Sequence, residues 1–109
     1  MTDDIKKKID VVFIAGGKFH DIDFARLEIL KLLAEDDRMK VRVFEDYSNL
    51  HAIANADFLI TYTCDVRPTL EQQRVLKEYV SSGNRWLALH GTNSILQFMS
   101  DGKVDSPRI

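Results

Sequence analysis

The sequence contains a single cysteine, Cys64, and no apolar run that approaches the about 20 residues of a membrane-spanning helix. One cysteine cannot form a disulfide within the chain, which fits a reducing compartment. The first residues lack the apolar core of a signal peptide, so the cytoplasm is the expected location. Lys and Arg total 15 against 17 Asp and Glu, and the basic residues form no stripe, which argues against nucleic-acid binding.

The composition is that of one globular domain. The chain has 109 residues, of which 45% are hydrophobic and 29% are charged, and this is enough to bury a core. No internal repeat or low-complexity linker divides it. We therefore treat residues 1–109 as a single domain.

Apolar runs and alternating patterns predict four strands, over Ile9–Ala15, Lys40–Glu45, Phe58–Tyr62 and Arg85–Leu89. Helical spacing predicts three helices. The first covers Ile22–Glu35, with Asp23 as a cap and Leu27, Leu30, Leu33 and Ala34 on one face. The last is short and contains Ile95, Leu96, Phe98 and Met99. Alternating strands and helices favour an α/β three-layer sandwich with a parallel sheet in the flavodoxin-like strand order 2-1-3-4.

The middle helix has the clearest local signal. Thr69 is followed three residues later by Gln72, which is the pattern of a capping box. Leu76, Tyr79 and Val80 are expected to face the core, and Gly83 is placed to end the helix in the left-handed conformation.

Polar clusters follow three of the four predicted strands. In a parallel sheet of this order, ligands bind at the carboxyl ends of the strands where the chain reverses direction. The clusters are therefore expected to meet at one edge and to supply the substrate-binding residues: Gly16, Gly17, His20 and Asp21 after the first strand, Tyr62 and Asp65 at the end of the third, and His90, Gly91, Thr92 and Asn93 after the fourth.

His90 is the leading catalytic candidate. It lies in the frame Ala88-Leu89-His90-Gly91-Thr92, which is similar to the strand-to-helix elbow that presents a nucleophile in hydrolases. At neutral pH a histidine in such a turn is a good general base or metal ligand. The alternative is that His90 only caps the following helix or bonds to Thr92.

His20 is the second catalytic candidate. Asp21 is either its orienting carboxylate or simply the start of the first helix. His20 and His90, with Asp21 or Asp65, could also form a two-histidine, one-carboxylate site for a divalent metal. Cys64 lacks the elbow frame, so we expect a small buried residue there rather than a nucleophile.

These motifs together resemble one family. The resemblance runs from Ile9 to Arg108 and rests on Gly16-Gly17-x-x-His20-Asp21, Leu70-x-x-Gln73, Tyr79-Val80-x-x-Gly83 and Leu87-x-Leu89-His90-Gly91-Thr92-Asn93. They look like the amino-terminal half of ThuA-like (trehalose utilisation) proteins of the class I glutamine amidotransferase-like superfamily. The chain is about half the length of such a domain, so the resemblance implies a truncated domain with an exposed sheet edge that a second copy could cover.

The resemblance also implies a function. ThuA-like proteins belong to bacterial carbohydrate metabolism, which implies a small sugar or polyol as the ligand. In amidotransferases of the superfamily the elbow carries the catalytic cysteine, whereas here it carries His90, so cysteine-dependent glutaminase chemistry is not implied. The alternative is a non-catalytic flavodoxin-like binding or assembly module that uses the same strand ends.

Overall fold

The fold is a four-stranded parallel sheet between two layers of helices. A computed structural model describes residues 7–105. The sheet consists of β1 (Ile9–Gly17), β2 (Met39–Phe44), β3 (Phe58–Cys64) and β4 (Arg85–Ala88), in the order β2-β1-β3-β4 with all neighbours parallel. The helices are α1 (Ile22–Leu33), α2 (Leu50–Ala54) and α3 (Leu70–Ser81). The predicted fold class and strand order are therefore confirmed.

The two faces of the sheet carry separate cores. Side chains of β1 alternate between them, because successive residues of a strand point to opposite faces. Val11, Phe13 and Ala15 pack with α1, whereas Val12 and Ile14 pack with α2 and α3. All five are fully buried, as expected for the central strand of a doubly covered sheet.

Local capping fixes where the helices begin. The Thr69 hydroxyl accepts a hydrogen bond from the Gln72 backbone N–H at 3.1 Å, and the Gln72 side chain accepts one from the Thr69 N–H at 2.9 Å. The predicted capping box is thus confirmed, as is Gly83, which follows α3 with φ of 91°. At α1 the cap is Asp21 rather than Asp23, with its carboxylate accepting from the Phe24 N–H at 3.0 Å.

The predicted inner faces of two helices need correction. In α1, Leu30 and Leu33 pack on the core as expected, but Leu27 is 53% exposed. Ile22 and Ile29 take the inner positions instead, because at 3.6 residues per turn they share one face with Leu30 and Leu33, whereas Leu27 lies off that face. In α3, Leu76 and Tyr79 are buried, whereas Val80 is 48% exposed.

The predicted helix after β4 is wrong. The segment forms a small antiparallel hairpin of β5 (Gln97–Phe98) and β6 (Val104–Asp105), closed by a turn at Gly102 with φ of 84°. The backbone N–H of Leu96 is used by the carboxylate of Asp65 at 2.9 Å, and Asp-Gly is a strong hairpin signal. Tertiary contact and turn chemistry therefore outweigh the helical spacing of the apolar residues.

Two features of the fold bear on its surroundings. Among residues 7–105, no helix is long and apolar enough to span a membrane. β4 is at one end of the sheet, and its Leu87 is 55% exposed. The expectation that a second copy covers this edge stays a prediction.

Candidate functional site at the carboxyl edge of the sheet

The turn after β1 is built on two glycines. A Cβ atom at Gly16 would overlap the Glu45 carbonyl oxygen, and one at Gly17 would overlap that of Cys64. Gly17 also has φ of 107°, which side chains disfavour. The next residue is also held against the end of β3, since the Lys18 N–H donates to the Cys64 carbonyl at 2.9 Å. The glycines thus lead the chain over the end of β3 and bring His20 to the middle of the edge.

His20 and His90 are in contact. Their ring centroids are 5.2 Å apart at an interplanar angle of 52°, and the His20 ring also lies 6.0 Å from that of Tyr62. His20 is half-buried and His90 is exposed. His20 after β1, Tyr62 near the end of β3 and His90 after β4 therefore meet at one edge of the sheet, as predicted.

Gly91 makes this contact sterically feasible. It is buried, has φ of 91°, and a Cβ there would overlap the Thr63 carbonyl oxygen. The same Cβ would lie 3.4 Å from both Cδ2 and Nε2 of His20. The backbone of the β4 turn is therefore packed between the end of β3 and the imidazole of His20.

His90 lies on an isolated turn rather than at a helix N-terminus. The Thr92 N–H donates to the Leu89 carbonyl at 3.1 Å and the Ser94 N–H to the Gly91 carbonyl at 2.9 Å, after which the chain enters the β5–β6 segment. The helix predicted to follow His90 is thus missing from residues 91–105. The backbone N–H groups at its N-terminus, which could have held an oxyanion, are therefore missing from this part of the chain as well.

The two imidazoles keep their ring nitrogens available. Within residues 7–105, neither the His20 ring nor the His90 ring makes a hydrogen bond, and the Thr92 hydroxyl, the partner considered for His90, bonds instead to Thr61 and to the Leu89 carbonyl. Both rings can therefore accept a proton from a ligand hydroxyl or donate one to it.

The candidate carboxylates have structural partners. Asp21 caps α1, so it serves the alternative role considered for it. Asp65 accepts from the Leu96 N–H through one oxygen, and its other oxygen lies 3.7 Å from the Lys18 ammonium. Its backbone adopts φ of 59° and donates to the Ser94 carbonyl at 2.7 Å, so Asp65 ties the end of β3 to the hairpin segment.

These residues do not form a metal site of the predicted type. Among residues 7–105, no three histidine, cysteine, aspartate or glutamate side chains are grouped so that they could hold a metal ion. Because Asp21 and Asp65 are engaged elsewhere, the histidine pair has no third protein ligand in this part of the chain.

Two open depressions flank the histidine pair. One, of about 340 Å³, is mostly polar and is lined by residues that include Gly16, Gly17, His20, Asp21, Asp23, Arg26 and Glu45. The other, of about 410 Å³, is lined by Trp86, Ala88, Leu89, His90, Gly91, Thr92 and Asn93. Most of the predicted binding residues thus fall into two groups on either side of the ring contact, whereas Tyr62 lies beside His20 and Asp65 lines neither depression.

Cys64 has the properties of a buried structural residue. Its side chain is 4% exposed, and burial, together with the negative charge of Asp65, raises the pKa of its thiol. A raised pKa keeps the thiol protonated at neutral pH, and the thiolate is the nucleophilic form. The structure therefore offers no activated thiol at this position.

Sequence reasoning missed three polar residues beneath the edge. Thr61 and Thr63 are fully buried on β3, and Tyr47 is 2% exposed. Burial raises the pKa of the Tyr47 phenol, and the nearby hydroxyls of Thr63 and Thr61 reduce that rise. Within the described residues, the Thr63 Oγ1 makes no hydrogen bond of good geometry. The alternation of threonines in the run FLITYTC is unusual for a buried strand and could have indicated these positions.

Arg26 was also missed. Its guanidinium donates to the Ala15 carbonyl at 3.0 Å and is paired with Asp23 and, at 4.0 Å, with Glu45. It therefore links α1 to the end of β1 and contributes the positive charge of the polar depression.

The chain matches no family model, no curated protein and no solved structure.

Proposed function

We propose that the His20–His90 edge binds a small sugar or polyol, and that the two imidazoles serve as its acid/base pair in a ThuA-like protein of bacterial carbohydrate metabolism in the cytoplasm. The observation that carries this proposal is the 5.2 Å distance between the ring centroids of two imidazoles whose nitrogens have no hydrogen-bond partner among residues 7–105. Two such rings side by side can accept a proton from one ligand hydroxyl and donate a proton to another.

The glycines support one shared site for the two histidines. At Gly16, Gly17 and Gly91 the space that a Cβ would need is filled by backbone carbonyls of neighbouring segments of the chain, and these close approaches bring the two turns together. A polyhydroxylated ligand could use backbone groups, imidazole nitrogens and the Tyr62 phenol at the same time. No step through a metal is part of the proposal.

The charge of the polar depression favours an unphosphorylated ligand. Three carboxylates, those of Asp21, Asp23 and Glu45, line it against the single guanidinium of Arg26. A phosphate group placed there would meet net negative charge. The proposal is therefore for a neutral sugar or polyol.

A non-catalytic binding module is the second candidate. It is favoured by the open shape of both depressions and by the absence, among residues 91–105, of a helix whose N–H groups could stabilise developing charge. Binding of the same ligand without any turnover would favour the module over the enzyme.

Calorimetric titration with trehalose and with a linear polyol tests the proposal. We expect millimolar or tighter binding that falls at least about tenfold in His20→Ala and in His90→Ala, which corresponds to about 1.4 kcal/mol. The double variant should lose less than the sum of the two, because each ring needs the other. His51→Ala is the matched control, since His51 is an exposed histidine on α2 away from the edge. Equal affinity in all four variants would refute the proposal.

A further inference from the structure

A partly buried chain of hydrogen bonds through two threonine hydroxyls holds the His90 turn on the sheet. The Trp86 indole N–H donates to Thr61 Oγ1 at 2.9 Å, Thr61 Oγ1 lies 2.8 Å from Thr92 Oγ1, and Thr92 Oγ1 lies 2.8 Å from the Leu89 carbonyl oxygen. One arrangement of protons satisfies every group. The indole can only donate, so Thr61 accepts from it and donates to Thr92, which donates to Leu89.

Thr61 is the centre of this chain. It is fully buried, and its own backbone carbonyl accepts from the Leu89 N–H at 2.9 Å. Both the side chain and the backbone of Thr61 therefore hold the residues on either side of His90. No helix follows His90 within residues 91–105, so the turn that carries its exposed ring is held by these bonds, by two short turn bonds and by the bonds of Asp65 to Ser94 and Leu96.

We propose that Thr61 is a positioning residue for the histidine site. Its hydroxyl touches no ligand, but it keeps the turn of Gly91 and Thr92 seated on β3 so that His90 stays against His20. That this alignment matters for sugar binding rests on the proposed function. The alignment itself can be measured without any sugar.

The test compares Thr61→Val, which removes the hydroxyl but keeps the shape, with Thr61→Ser, which keeps the hydroxyl but loses the methyl group. The first readout is the nuclear Overhauser effect between ring protons of His20 and His90, with His51 resonances as an internal check on the fold. The second is trehalose affinity. We expect Thr61→Val to weaken the ring-to-ring effect at least about twofold and the affinity at least about fivefold, and Thr61→Ser to retain most of both.

The outcomes separate this inference from the proposed function. An unchanged ring-to-ring effect in Thr61→Val would overturn the positioning role whether or not sugar binds. A weakened effect in a protein that binds no trehalose would uphold the positioning role and refute the sugar site. If Thr61→Val does not fold, Thr92→Val removes the hydroxyl to which Thr61 bonds and keeps the shape of the side chain. A weakened effect in that variant supports the inference and an unchanged one overturns it.

Discussion

The imidazole of His20 lies against that of His90, although the two residues belong to turns that follow non-adjacent strands of the sheet. β3 separates β1 from β4 in the sheet. The contact exists because the turn of Gly16 and Gly17 carries the chain from β1 across the end of β3. At Gly91 the backbone comes close enough for the His20 ring to pack on it.

Gly91 and Gly83 form a matched pair for measuring this close approach. Both have φ of 91°, but a Cβ at Gly83 would meet nothing within 4 Å, whereas one at Gly91 would overlap the Thr63 carbonyl. Gly83→Ala should lower the free energy of unfolding by about 1 kcal/mol, which is the cost of a side chain in the left-handed conformation alone. Gly91→Ala should cost at least about 2 kcal/mol, because the turn must also shift. Urea unfolding measures both, and equal losses would contradict the packing described for Gly91.

How far the sequence predicts the fold depends on the segment. The central position of β1 follows from the apolar run Ile9–Ala15, because a strand covered on both faces is mostly apolar. The segment after β4 could not be predicted in this way. Its apolar residues have helical spacing, but the carboxylate of Asp65 takes the Leu96 N–H, and this contact is not visible in a linear pattern.

The candidate site also has a part that the sequence predicts and a part that it does not. His20, Tyr62 and His90 could be placed together because parallel strands end at a common edge. The structural roles of Asp65 and Thr92 could not be predicted, since each depends on partners far along the chain, namely Leu96 and Thr61. The threonine at position 61 is visible in the sequence, but its partners Trp86 and Thr92 are known only from the structure.

Cys64 should be nearly inert in the folded protein. Burial and the charge of Asp65 raise the pKa of its thiol, so the thiolate fraction at neutral pH is below that of an exposed cysteine. We expect alkylation by iodoacetamide to be at least about tenfold slower in the native protein than in urea. Cys64→Ser should leave trehalose affinity unchanged. Rapid native labelling, or loss of binding in the serine variant, would instead indicate a thiol mechanism.

Tyr47 should make the fold sensitive to alkaline pH. Burial raises the pKa of its phenol in the folded state, so the folded protein holds this proton more tightly than the unfolded chain. The resulting stability is complete below the ordinary tyrosine range of about pH 10 and is lost as pH rises through the folded-state pKa. Unfolding free energies measured from about pH 8 to about pH 11 should decline, and less steeply in Tyr47→Phe. Parallel curves for the two proteins would argue against this contribution from Tyr47.

The polar depression should discriminate against phosphorylated sugars. Trehalose 6-phosphate should bind at least about tenfold more weakly than trehalose, because Asp21, Asp23 and Glu45 outnumber Arg26 there. Glu45→Gln should narrow this difference by selectively improving binding of the phosphate ester. A higher salt concentration should also narrow the difference in affinity between the two sugars, since the Glu45 carboxylate is 85% exposed and is screened by ions. Preferential binding of the phosphate ester would mean that the ligand does not occupy this depression.

The most direct test of the shared site is histidine-selective NMR during a trehalose titration. The chain has three histidines, and His51 is exposed on α2 away from the edge, so every sample contains its own reference. If His20 and His90 form one binding site, the ring resonances of both should shift along a common saturation curve while those of His51 stay fixed. Resonances of all three that remain unmoved at saturating sugar, or a shift at only one of His20 and His90, would contradict the shared site.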